Sequence, residues 1–315
     1  VSAPVPWLAV QAHPNAAITT APRTSSWIDA AVVAGGGQVA EPASATAVVW
    51  TASDDPAGLA ELLDANPQID WVQLPWAGIE PYVPLLGDGR IWSCAKGVYA
   101  EPVAEHALAM LLAGFRHLPG YARASTWTGP AGRNLLGARV TIFGGGGIAE
   151  SLLRLLGGFG CHVTVVRRRP EAMAGVDRVL GPDQHLDALR GADAVVLALP
   201  LVDDTVGLIG ERELAAMEPN AWLINVARGA HVQTDALVAA LDAGAIGGAA
   251  LDVTDPEPLP DGHPLWGRPN VLITPHTGNT PAMARPLLGA RVTDNVRRYV
   301  AGDELVGLVD GALGY

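Results

Sequence analysis

Gly144, Gly145, Gly146, Gly147, Ile148 and Ala149 stand between an apolar run, RVTIF (139–143), and a helical pattern over 147–157. Gly144, Gly146 and Ala149 fit G-x-G-x-x-G/A. The first glycine permits the tight turn, and the second lets a pyrophosphate approach the backbone. The small third residue keeps the helix close to the strand, while Gly147 and Ile148 open a helix whose N-terminus faces the anion. A bare motif of this kind is weak evidence. A strand before it, a helix after it and a further strand about 18 residues on make it a dinucleotide site. That further strand, HVTVV (162–166), runs into Arg167, Arg168 and Arg169. A site that prefers NAD carries an acid at this tip, to accept from the ribose 2′-hydroxyl. An arginine instead suits a 2′-phosphate, so NADPH/NADP is expected over NAD, with NAD as the alternative and a solvated arginine turn as the bland reading.

Other chemistries find little support. Lys96 is the sole lysine, and Gly97 follows it, which excludes a Walker A loop. Ser93-Cys94-Ala95-Lys96 spells S-x-x-K, but the companion K-T-G needs a second lysine. There is no G-x-S-x-G, no H-E-x-x-H and no paired C-x-x-C, and no metal site is expected. Twenty basic against 32 acidic residues, a formal charge of −12, argue against nucleic acid and anionic membranes as partners. No apolar run approaches a membrane span. The opening VSAPVPWLAV lacks a basic stretch before a long apolar one, so it does not read as a secretory signal. Two cysteines, Cys94 and Cys161, fit a reducing setting, and a cytoplasmic location is expected.

The elements that must position these residues follow a regular pattern. Strand candidates are 139–143, 162–166, 177–180, 194–199, 221–226, 248–253 and 270–274, with helical patterns at 147–157, 184–190, 211–217 and 233–242 between most of them. Such alternation predicts a parallel, doubly wound sheet covered on both faces. Before it, strands at 47–52, 71–74 and 91–95 and a helix at 55–65 capped by Asp54 or Asp55 predict a smaller αβ lobe. The helix EPVAEHALAMLLAGFRHL (101–118) is apolar on nearly every face, which predicts burial or a subunit interface. Residues 119–137 read as a connecting loop. A long helix over 280–302, interrupted by Pro286, would return the chain to the first lobe. The first 45 residues give no clear pattern.

LALPLVDDTVGLIGERELAAMEPNAWLINVARGA (197–230), ALDVTDPEPLP (250–260) and NVLITPH (270–276) resemble the D-isomer-specific 2-hydroxyacid dehydrogenase family. WAGIE (76–80) and VAEHALAMLLA (103–113) resemble that family's first-lobe loop and interdomain helix. ARGAHV and the C-terminal VD…GY (309–315) are most similar to its glyoxylate/hydroxypyruvate reductase branch. The resemblance implies two α/β lobes: a Rossmann-type dinucleotide domain (101–282) and a flavodoxin-like substrate domain (1–100 and 283–315), with a cleft between them. It implies a catalytic trio of Arg228, Glu257 and His276. Reduction of a 2-keto acid needs a hydride on carbon and a proton on oxygen. His276 suits the proton, Glu257 would orient it, and Arg228 would polarise the keto group and pair with the carboxylate through its planar fork. The amides of Ala77 and Gly78 would hold that carboxylate, Asp252 the nicotinamide carboxamide, and Pro200, Thr205, Val226 and Ala227 would line the cofactor. Trp76 and Tyr99 lie close to the first-lobe loop and are candidates for the pocket wall. Taken singly, each of the trio has a bland reading as a surface or loop residue; all three follow C-terminal ends of strands, where ligands bind in such sheets.

The expected activity is reduction of a small, glyoxylate/hydroxypyruvate-like 2-keto acid to a D-2-hydroxy acid by a homodimeric enzyme. The competing reading is a non-catalytic NAD(P)-binding sensor of corepressor type, which the retained trio disfavours.

Overall fold

A computed structural model describes residues 10–52 and 54–310. Most of the opening decapeptide and the last residues of VD…GY lie outside them. The chain divides into two compact units, Val1–Tyr99 with Pro281–Tyr315, and Ala100–Thr280.

The first unit contains β1 (Ala17–Ala21), α1 (Ser26–Ala34), β2 (Gln38–Val39), β3 (Ala47–Trp50), α2 (Pro56–Ala65), β4 (Trp71–Gln73) and β5 (Ile91–Ser93). The second runs through α3 (Ala100–Phe115), α4 (Leu118–Arg123), β6 (Arg139–Phe143), α5 (Gly147–Leu156), β7 (His162–Val166), β8 (Arg178–Leu180), α6 (His185–Leu189), β9 (Ala194–Leu197), α7 (Glu211–Ala216), β10 (Trp222–Asn225), α8 (Thr234–Asp242), β11 (Gly248–Leu251) and β12 (Val271–Ile273). The chain then rejoins the first unit as α9 (Pro281–Ala301).

The first unit's sheet is parallel throughout, ordered β2-β1-β3-β4-β5, the flavodoxin-like order. The second unit's sheet is also parallel, ordered β12-β11-β10-β9-β6-β7-β8. Its strands are nearly continuous apolar runs because helices cover both faces and separate hydrophobic cores form on each. The order reverses between β6 and β9, so the crevice beyond their C-terminal ends is where a doubly wound sheet binds its ligand.

Three local expectations need correction. The patternless N-terminal segment holds β1, α1 and β2: short buried residues such as Ile18, Ile28 and Val32 supply the apolar face. The helix expected over 101–118 ends at Phe115. His117 takes a left-handed conformation (φ 55°), and α4, from Leu118 to Arg123, runs into the supposed loop. Pro286 does not interrupt α9. The carbonyl it leaves unpaired, on Ala282, lies in the exposed first turn, where water can satisfy it. Asp55, not Asp54, caps α2, accepting from the Gly58 amide at 2.9 Å.

Candidate active site

Gly144 has φ +109°, and a Cβ there would stand 2.1 Å from the Ala198 carbonyl oxygen. Only glycine lets the end of β6 turn so tightly against the end of β9. A Cβ on the exposed Gly146 would meet nothing within 4 Å. Gly146 is also the N-cap of α5, whose first turn, Gly147 and Ile148 included, has no side-chain cap. An open glycine cradle beneath uncapped amides fits a dinucleotide pyrophosphate. Arg167 follows β7 directly. Its side chain crosses the glycine turn so closely that a Cβ on Gly145 would lie 2.9 Å from its Cδ. Gly145 therefore makes room for Arg167. Arg168 and Arg169 are exposed.

Pro200 and Thr205 lie on the loop after β9. The Thr205 hydroxyl closes that loop, donating to Pro200 O at 3.1 Å and accepting from the Val202 amide at 2.9 Å. Val226 and Ala227, both buried, follow β10 and lead into Arg228. Asn225 secures this turn. Its amide donates to Arg228 O at 2.9 Å and its oxygen accepts from Ala227 N at 3.0 Å. The Arg228 guanidinium donates to Ala227 O at 2.7 Å. Gly229 follows because a Cβ would overlap the Thr254 carbonyl, 1.9 Å away. The Arg228 turn thus packs directly on the backbone that carries Glu257.

Glu257 and His276 meet: His276 Nδ1 lies 2.7 Å from Glu257 Oε1. The second oxygen, Oε2, accepts from Thr254 N at 3.4 Å. Both side chains are about half exposed, so the pair opens to solvent. His276 has φ 50°, a left-handed conformation costly for a residue with a Cβ. Asp252, at the end of β11, holds it there. Its backbone oxygen accepts from His276 N at 2.8 Å. Its carboxylate accepts from Thr274 Oγ1 (2.6 Å), Thr277 N (2.8 Å) and Gly278 N (2.9 Å), and His106 Nε2 of α3 lies 3.3 Å away. Burial pushes the Asp252 pKa up, but the hydrogen bonds from His106, Thr274 and the two amides prevail and hold it at about 2.

His106 belongs to the helix whose apolar faces predict burial or a subunit interface, and the sequence did not assign it this role. Its 3.0 Å contact with Thr274 joins α3 to the His276 turn. The sole cue was a polar residue in an apolar helix. Among the described residues no cluster of His, Cys, Asp and Glu could hold a metal ion, and no helix is long and apolar enough to cross a membrane.

In the first unit, Ala77 is exposed and Gly78 half-buried on the loop after β4. Ala95 N donates to Trp76 O at 3.1 Å and the Tyr99 hydroxyl to Pro75 O at 2.7 Å. Tyr99 is buried and packs 5.4 Å from the Trp76 ring, so it braces the loop with its hydroxyl engaged.

Comparison with known proteins gives these arrangements a lineage. The D-isomer specific 2-hydroxyacid dehydrogenase NAD-binding domain matches residues 108–278. An uncharacterized protein of Corynebacterium melassecola is 38% identical over 263 residues, 81% of this chain and 86% of the relative. Glyoxylate/hydroxypyruvate reductase A of Serratia proteamaculans is 34% identical over 220 residues, 69% of each chain. The crystal structure of a D-isomer specific 2-hydroxyacid dehydrogenase from Xanthobacter autotrophicus Py2, in complex with NADPH and MES, superposes with a TM-score of 0.83 at 28% identity, covering 96% of this chain and 100% of that one. The resemblance read from the motifs, including its reductase branch, is matched by these relatives. With its parallel Rossmann-type sheet and glycine turn, the chain belongs to the D-isomer specific 2-hydroxyacid dehydrogenase family of NAD(P)-dependent oxidoreductases.

Proposed function

We propose that this chain reduces a small, glyoxylate- or hydroxypyruvate-like 2-keto acid to a D-2-hydroxy acid with NADPH. The observation that carries this reading is the His276–Glu257 pair, 2.7 Å apart, on the strand edge where the glycine turn opens. When bound, the nicotinamide supplies the hydride to the carbonyl carbon. His276 delivers the proton to the carbonyl oxygen from Nε2, since Nδ1 is turned to Glu257. Glu257 fixes the orientation of the ring. Arg228 polarises the carbonyl and pairs with the substrate carboxylate, a task suited to a planar, permanently charged fork. The amides of Ala77 and Gly78 are assigned to the same carboxylate, making the first unit the substrate domain and the second the dinucleotide domain.

The Asp252 carboxylate already accepts from Thr274, Thr277 and Gly278, so any nicotinamide carboxamide contact falls to its remaining acceptor capacity. Pro200, Thr205, Val226 and Ala227 are assigned to the walls of the cofactor site. NADPH is preferred over NADH because Arg167 lies across the glycine turn, where a 2′-phosphate would be read; the Xanthobacter relative was crystallised with NADPH. A homodimer is proposed on the apolar surface around α3. Leu118 and Leu136 are more than half exposed, and Trp127 is fully so.

The test is turnover of NADPH and NADH with a panel of 2-keto acids. Oxidation of NADPH by glyoxylate or hydroxypyruvate, with D-product where the product is chiral, supports the reading. Tight cofactor binding without turnover on any keto acid would replace it with the sensor.

A further inference from the structure

His231 is wholly buried and stands three residues after Arg228. Its ring faces two carbonyl oxygens: Nδ1 is 2.9 Å from Thr205 O, and Nε2 is 3.2 Å from Leu199 O. Those carbonyls mark the two ends of loop 199–205, which carries Pro200 and Thr205. The main chain repeats the connection. Gly207 N donates to Ala230 O at 2.7 Å and Ile209 N to His231 O at 2.9 Å, while His231 N donates to Arg228 O at 3.2 Å. One residue thus touches both the loop beyond β9 and the turn that presents Arg228. The Ala198–Leu199 backbone at the loop's start is also what Gly144 packs against.

We propose that His231 is a positioning residue: it clamps loop 199–205 to the Arg228 turn, keeping the cofactor wall and the catalytic guanidinium in one register. The inference rests on the NADPH reading above. Both ring bonds exist together only when both nitrogens carry hydrogen, because each partner is an acceptor. An apolar residue of similar bulk would fill the space but leave two carbonyls without these donors. The loop would then relax away from β10, and cofactor affinity and turnover would fall together.

Three variants separate positioning from packing. His231→Asn places an amide donor near the Nδ1 position, towards Thr205. His231→Gln places one near Nε2, towards Leu199. His231→Leu supplies neither. NADPH dissociation constants from ligand fluorescence, kcat and KM with glyoxylate, and thermal unfolding are measured on each. We expect His231→Leu to weaken NADPH binding by roughly tenfold or more, the scale of lost buried hydrogen bonds. Asn and Gln should each recover part of the affinity and of kcat, with KM for glyoxylate changing least. If the leucine variant fails to fold, the other two carry the test. Folded Asn and Gln variants that bind NADPH and turn over within about twofold of wild type would overturn the inference. So would losses that follow thermal stability alone. Wild-type protein that binds no NADPH would instead overturn the cofactor reading beneath it.

Discussion

The two edges of the seven-stranded sheet use charge in opposite ways. At the N-terminal edge, Arg133, Arg139 and Asp193 satisfy one another. Arg133 donates to Asp193 Oδ1 at 2.8 Å, to Asp193 O at 2.7 Å and to Asn220 O at 2.8 Å. Asp193 Oδ2 accepts from Arg139 N at 2.8 Å. The Arg133 guanidinium also sits 4.3 Å above the Phe115 ring. This knot ties together the starts of β6, β9 and β10, three neighbours in the sheet. At the C-terminal edge, the charges lean largely on backbone groups. Asp252 is held by two amides, the Thr274 hydroxyl and His106, Arg228 donates to the Ala227 carbonyl, and His276, paired with Glu257, is kept in a left-handed turn by the Asp252 carbonyl. Charges that end on one another add rigidity. Charges held from behind keep a face for a ligand, and His276 carries its left-handed backbone on that edge.

The comparison is broken most forcefully at His276. His276→Ala should lower kcat by roughly 10²–10⁴-fold, with NADPH affinity almost unchanged. Retention of more than about a tenth of kcat would assign the proton to another group. Arg228→Lys comes next. It keeps the charge and loses the fork, so kcat/KM should fall roughly 10- to 150-fold, partly through KM for the keto acid. Kinetics close to wild type would reduce Arg228 to bulk positive charge. By contrast, Arg139→Lys at the opposite edge should leave kcat/KM unaltered.

Arg167→Asp should cut NADPH use roughly 10- to 150-fold while sparing NADH, read as the ratio of kcat/KM for the two cofactors. An unchanged ratio would show that this turn does not read the 2′-phosphate. Gly145→Ala should move the ratio the same way by a smaller factor, because the new Cβ forces the Arg167 side chain aside.

The two aspartates sharpen the contrast in stability. Both carboxyls are depressed against the pull of burial, Asp193 by Arg139 and Arg133, Asp252 by His106, Thr274 and two amides. A depressed carboxyl stabilises the fold fully above its unfolded value of about 3.9. That contribution fades as pH falls towards the folded value, about 2 for Asp252. Asp252→Asn should therefore flatten the acid dependence of thermal unfolding between roughly pH 4 and pH 2. An identical pH slope in the variant would remove Asp252 from the acid response.

Periodicity and composition alone determine a good deal here. Parallel strands buried on both faces must be apolar throughout, so the strands of the larger sheet stood out, and RVTIF and HVTVV were located to the residue. The glycine turn is equally legible, because the tight turn at the end of β6 requires glycine at Gly144. Helix ends were less so: α3 stops at Phe115 since His117 turns left-handed, a choice made by packing. Motifs single out Arg228, Glu257 and His276 as candidates, but 19 residues separate Glu257 from His276, and only the parallel pairing of β11 and β12 brings them within a hydrogen bond. Gly145 shows the same division. In the sequence it is one glycine among four; beneath the Arg167 side chain it becomes the space that lets a cation lie across the turn. His106, Asp252 and Thr274 span 168 residues, and no local pattern links them. Local propensity reads as far as a turn or a helical repeat. Which polar groups meet across strands is decided by sheet order, and that exists only in the folded chain.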